Sequence, residues 1–149
     1  MAGTSASSAA LTARRLLRSL DRAALATSLA PASGGGPYVS LVLAATAPDG
    51  APLLLISDLA QHTINLKRDP AVSLLLDGTA GLDEPLTGPR LTLLGGAARA
   101  ADTALLARFV ARHPSASSAI DTEVRMLRSS STRAMVLGTE ILLVGHALG

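Results

Sequence analysis

Two periodicities divide the chain. Near its start, Leu11, Leu16, Leu17 and Leu20 share one side of a helical wheel, while Arg14, Arg18 and Arg22 form a stripe at spacing four. That pattern predicts an amphipathic surface helix over about residues 9–20, behind a flexible tail over 1–8. From "RAALATSLA" onward the texture changes to short apolar runs separated by turn residues, the signature of an antiparallel sheet or barrel. The turns "ASGGG" and "APDG" bracket "PYVSLVLAAT" (37–46) and lead into "PLLLIS" (52–57), predicting three consecutive strands in a meander.

A short helix over 58–68 follows, with Ser57 as its N-cap, Asp58 in its first turn and Asp69-Pro70 as its stop. "VSLLL" reads as a buried strand, and "DGTAGLDEPLTGP" (77–89) as a long exposed loop. "RLTLLGGAARA" is a strand in which Gly95-Gly96 marks a bulge or a close backbone approach. Asp102 caps a further helix that turns Leu105, Leu106, Phe109 and Val110 inward and Arg108 and Arg112 outward, ending at Pro114. "EVRMLRSS" and "RAMVLGTEILLVG" read as closing strands, the second being compatible with a helix as well. No repeat and no shift of composition divides residues 9–149, so a single domain is expected.

Composition sharpens this picture. Apolar residues make up 48% of the 149, but the aromatics are only Tyr38 and Phe109, so the core is built from Leu, Val, Ile and Ala. Thirteen basic residues, of which only Lys67 is a lysine, face 11 acids, leaving a net charge of +2. That charge and the lack of stacking aromatics argue against a nucleic-acid partner. With no cysteine there are no disulfides or thiolate ligands. No apolar run approaches the roughly 18 residues of a membrane span, so a cytoplasmic protein without a membrane partner is expected. The opening "MAGTSASSAALTARRLLRSL" has no acid before Asp21, which is also the composition of an organellar targeting segment.

Most catalytic machinery is missing. His62, His113 and His146 show no metal-ligand spacing, so no metal site is assigned, and neither a P-loop nor a GxSxG elbow occurs. Asp83-Glu84 and Asp121/Glu123 are neighbours in polar segments, a poor setting for shifted carboxylates. What remains is the helix after "PLLLIS". A helix start at a strand end offers unpaired N–H groups to a phosphate, with the Ser57 hydroxyl beside them and His62, Thr63 and Asn65 one turn on. The plainer alternative makes Ser57 a cap, His62 a half-exposed surface residue and Thr63 part of a core-facing stripe.

The wording of three stretches, "PYVSLVL", "LISDLAQHTINLKRDPAVSLLL" and "RLTLLGGAARA", resembles the FMN-binding split-barrel family related to pyridoxamine 5'-phosphate oxidase, and within it the haem-utilisation, HugZ-like branch. The resemblance covers about residues 9–137. It implies a mainly β fold, a six- to seven-stranded antiparallel split barrel with flanking helices, working as a homodimer with FMN at the interface. Carried over, Ser40 and Val42 border the flavin ring, Ser57, His62 and Thr63 bind its phosphate or ribityl chain, and Asn65 is a weaker member of that set.

Departures from the family pattern bear on function. Gln61 and His62 stand where pyridoxamine phosphate oxidases have an Arg-Lys pair, which lowers the positive charge and argues against pyridoxamine phosphate as substrate. Met135 replaces a family histidine, and the family aromatics after "ARHPSAS" are absent. Haem-degrading members carry a further C-terminal domain, which is not expected here, and only His62, His113 and His146 are available to iron. The resemblance therefore implies first an FMN-dependent oxidoreductase acting on an unidentified small molecule, with no catalytic residue assigned. Its alternatives are a haem-binding or haem-degrading protein and a degenerate, non-enzymatic dimeric split barrel.

Overall fold

The computed structural model describes residues 2–119, 124–137 and 141–145, with side chains for 8–118. Seven strands form one antiparallel sheet: β1 (Arg22–Ser28), β2 (Pro37–Thr46), β3 (Pro52–Ser57), β4 (Ala71–Asp77), β5 (Arg90–Arg99), β6 (Val124–Leu137) and β7 (Ile141–Gly145). Their order is β3-β2-β1-β4-β5-β6-β7, and a further β3–β6 pairing closes six of them into a barrel. The expected meander is β1-β2-β3. Its first turn is made by Gly34, Gly35 and Gly36, all at positive φ, where three consecutive side chains would each be strained.

The two predicted closing strands are divided differently: the first and the start of the second form one strand, β6, and the end of the second is β7. β6 runs unbroken from Val124 to Leu137, so the expected break at 131–132 is absent, and its last part is strand rather than helix. Its first half pairs with β3 (Ser57↔Val124 to Leu53↔Arg128) and its second half with β7 (Arg133↔Gly145 to Leu137↔Ile141), while β5 follows it from Leu127 to Leu137. The bulge expected at Gly95-Gly96 lies there, between Leu94 and Gly95, but the extra residue is Thr132 on β6. Glycine opposite the bulge lets the two strands stay close through the change of register.

Three helices dress the barrel. Helix α1 spans Ala2–Ser19, starting seven residues before the predicted point, so residues 2–8 of the expected tail are helical. Its Ser/Ala-rich beginning contains good helix formers and no proline. Ala13, Leu16 and Leu17 are buried with Leu25, Val42, Leu54, Leu74, Leu76 and Leu91 in the main core, which makes α1 a plug for the barrel end where β1 and β5 begin. Helix α2 (Gln61–Arg68) lies at the opposite end. Helix α3 (Thr103–Arg112) is capped by Asp102, whose side chain accepts from Ala104 N, and sits outside β2 and β3. Its predicted outward arginines are tethers: Arg108 donates to the Thr46 carbonyl and Arg112 to that of Ser19.

The 77–89 loop is tied at its base, where Gly78 N donates to the Pro89 carbonyl at 3.0 Å. A Cβ on Gly78 would stand 2.8 Å from that same oxygen. Backbone would have to move to admit it, so Gly78→Ala is expected to cost about 1–3 kcal/mol in urea unfolding. An unchanged midpoint would show that the loop base gives way freely.

Candidate functional site

Helix α2 begins later than its sequence implies, and this changes the role of Ser57. The N-cap is Ala60, which makes no side-chain cap bond. The Ser57 hydroxyl instead accepts from Leu59 N at 3.2 Å, forming a local turn, and its carbonyl accepts from Ala60 N and from the Thr63 hydroxyl. A serine two residues before an amide offers the chain a turn that competes with helix, and here the turn prevails. Asp58 accordingly precedes the helix instead of occupying its first turn.

The predicted site residues fall into three groups on α2. His62 faces β2, where its Nδ1 lies 2.9 Å from Ser40 Oγ. Thr63 turns away from that pair and donates to Ser57 O, so it is bound up in the approach to the helix. Asn65 is only 2% exposed; its amide donates to Thr27 Oγ1 at 3.0 Å and accepts from Gln61 at 2.8 Å. Both side-chain polar atoms are thus engaged within the protein, which gives Asn65 a structural role.

Val42 is likewise enclosed. It is 5% exposed and packed in the main core, whereas Val39, Leu41 and Leu43 of the same strand point outward and are exposed. Alternation along "YVSLVL" does not announce this, because the uniformly apolar parity is the exposed one and the polar Ser40 shares the parity of buried Val42. The outward side continues across β1 through Ala24 and Ala26 to Leu75 of β4 and Leu94 of β5. That face is mainly apolar, with Ser73 and Thr92 set among its leucines on β4 and β5 and Arg22 at its edge in an ion pair with Asp21. The sequence missed it as a functional surface.

The Ser40–His62 pair is the chemically distinctive spot. Burial lowers the His62 pKa, so its imidazole is neutral at pH 7. One ring nitrogen then carries hydrogen: if Ser40 donates to Nδ1, Nε2 is a buried N–H, and if Nδ1 donates, Nε2 is a buried lone pair. Neither form finds a partner, because Nε2 is enclosed and unbonded. Such an atom costs about 1–3 kcal/mol. His113 differs: its Nε2 lies 2.7 Å from the Ala44 carbonyl and its ring stacks near Phe109 at 4.8 Å, a structural capping position. His146 lies outside the described residues.

The His62 shift has a sign in stability. The unfolded chain takes up a proton near the ordinary value of 6.5, while the folded imidazole resists until lower pH. Between the two values the unfolded state binds more protons, so stability falls as pH drops below about 6.5. His62→Gln is expected to flatten that part of the urea-midpoint profile between pH 7 and 5. A variant profile parallel to the wild type over that window would refute the assignment.

What the α2 start can hold is limited. Its first turn offers backbone N–H groups and neutral side chains, Gln61 and His62, and its cations Lys67 and Arg68 stand in the last turn. A doubly charged phosphate finds no counter-charge there. Among the described residues no group of His, Asp and Glu is arranged to hold a metal, and no helix is long and apolar enough to cross a membrane.

Comparison with known proteins agrees with the architecture. A region of 85 residues is 39% identical to the chloroplastic non-canonical heme oxygenase HOZ of Arabidopsis thaliana, covering 55% of this chain and 26% of that protein. A heme binding protein from Mycobacterium smegmatis superposes with a TM-score of 0.82 at 28% identity, over 92% of this chain and 57% of its own. Protein Atu2129 of Agrobacterium tumefaciens, of unknown function, gives a TM-score of 0.79 at 33% identity, over 90% of this chain and 58% of its own. The chain thus spans between a quarter and three-fifths of these relatives. The pyridoxamine 5'-phosphate oxidase family model matches residues 12–138, the six barrel strands with α2, α3 and the end of α1. With its closed six-strand barrel, its plugging helices and that match, the chain belongs to the pyridoxamine 5'-phosphate oxidase family.

Proposed function

We infer that this protein binds haem and serves haem utilisation, as a homodimer joined through the outer face of β2, β1, β4 and β5. The observation that carries the reading is the pairing of that open apolar face with an α2 start that offers no cation. An apolar macrocycle and a second copy of the chain both suit such a face, whereas the phosphate of FMN or of pyridoxamine phosphate finds no clamp at the α2 start. The heme oxygenase HOZ and the mycobacterial heme binding protein, at 39% and 28% identity, support the same direction.

The described histidines set a limit on how the iron is held. His62 Nε2 is enclosed and His113 Nε2 is engaged by Ala44, so neither presents an open nitrogen, and neither is assigned as an axial ligand. This chain's own contribution is the apolar surface, water exclusion and the rigid β2–α2 corner where Ser40 fixes His62. An FMN-dependent oxidoreductase is the second reading, favoured by the helix start at the strand end and by the family match. A degenerate module is the third.

Parallel titrations of the purified chain with haem and with FMN test these readings. Haem is expected to give a saturable Soret change with one haem per chain or per dimer, and FMN no quenching at micromolar concentration. Saturable FMN binding without haem binding would transfer the conclusion to the flavin reading, and failure of both would leave the non-enzymatic module.

A further inference from the structure

Against the side of α2 that bears Thr63 and Lys67 lies a cavity of about 400 Å3, within the range of small-molecule sites. Ile56, Leu66 and Ala97 make its floor, belonging to or packed against the main core. Two cations from different elements meet at its rim, Lys67 from the last turn of α2 and Arg99 from the end of β5, and both are exposed. Asp58 and Thr63 form the remaining polar wall. Thr63 spends its proton on Ser57 O, so toward the cavity its oxygen is an acceptor.

We propose that this cavity between α2 and β5 is a second ligand site, which takes a small molecule with an apolar body and one anionic head, a carboxylate or a phosphate monoester. Lys67 and Arg99 grip the head with charge-assisted hydrogen bonds, and the apolar body lies on Ile56, Leu66 and Ala97. The Asp58 carboxylate and the Thr63 oxygen favour a ligand that carries a hydroxyl or amino hydrogen on its polar side, and disfavour a polyanion. The site shares only the body of α2 with the Ser40–His62 corner. Its lining contains neither of those residues nor any residue of the open strand face, so it stands apart from the haem reading.

Amide chemical-shift titrations of the full chain with phenyl phosphate, benzoate and neutral benzyl alcohol test the proposal. The expected result is saturable shifts at Thr63, Leu66, Lys67 and Ala97 with at least one of the anions, at least tenfold weaker with the alcohol. Phosphate-only or benzoate-only binding supports the site and assigns its class of head group. Lys67→Met and Arg99→Gln are each expected to weaken the anion about tenfold or more, while His62→Gln leaves it unchanged. Both substituted cations are exposed, and an unaltered melting curve verifies that each variant folds. Equal binding of the alcohol, no saturation by either anion at 10-millimolar order, or anion affinity indifferent to both substitutions overturns the proposal.

Discussion

Replacing Phe109 by alanine is expected to destabilise the protein by about 3–5 kcal/mol, the largest effect of any single core truncation here. Phe109 is the chain's one phenylalanine and is 0% exposed. It fills a separate cluster with Ala45, Ala47, Leu53 and Ala116, in which most neighbours are too small to close over the space it would leave. It also carries His113, whose bond to the Ala44 carbonyl ties the end of α3 to β2. Urea unfolding of the variant measures the loss. A cost under about 1 kcal/mol would mean that α3 is held mainly by its Arg108 and Arg112 tethers.

The second large effect concerns assembly. Leu41 is 71% exposed on the β2 side of the apolar face, between Val39 and Leu43 on its own strand and opposite Ala24 on β1. In the proposed dimer Leu41→Arg would bury an unpaired charge within the interface, weakening association by at least about a hundredfold. Sedimentation equilibrium should show a dimer for the wild type and a monomer for the variant, with unchanged circular dichroism. A monomeric wild type, or a dimeric variant, would remove the strand face from the interface.

The sequence made some of this legible for local reasons. Asp102 at the start of α3 and the strand bounds 37–46 and 52–57 depend on caps, turns and short apolar runs that can be read within a few residues. The site was harder. Asn65 answers to Thr27, 38 positions away, and His62 to Ser40, 22 positions away, and no periodicity announces either bond. Ser57 looked like a cap because serine serves both as a cap and as a turn former, and only the three-residue delay of α2 distinguishes them. The inward and outward parities of β2 were misleading because the uniformly apolar one, Val39, Leu41 and Leu43, faces outward, and Ser40 lies on the parity of buried Val42. The continuity of β6 was hidden by its polar middle, "RSSSTR", which reads as a loop until β5 is placed beside it.

The pairing of β3 with β6 also sets the order in which the protein can be made. Residues 53–57 bond to residues 124–128, so during vectorial synthesis β3 waits with an open edge until some seventy further residues have left the ribosome. Closing so long an intervening chain is entropically slow, and an apolar edge such as "PLLLIS" is an aggregation hazard while it waits. Nascent chains stalled before residue 124 should therefore depend on chaperones in a way that chains released after residue 137 do not.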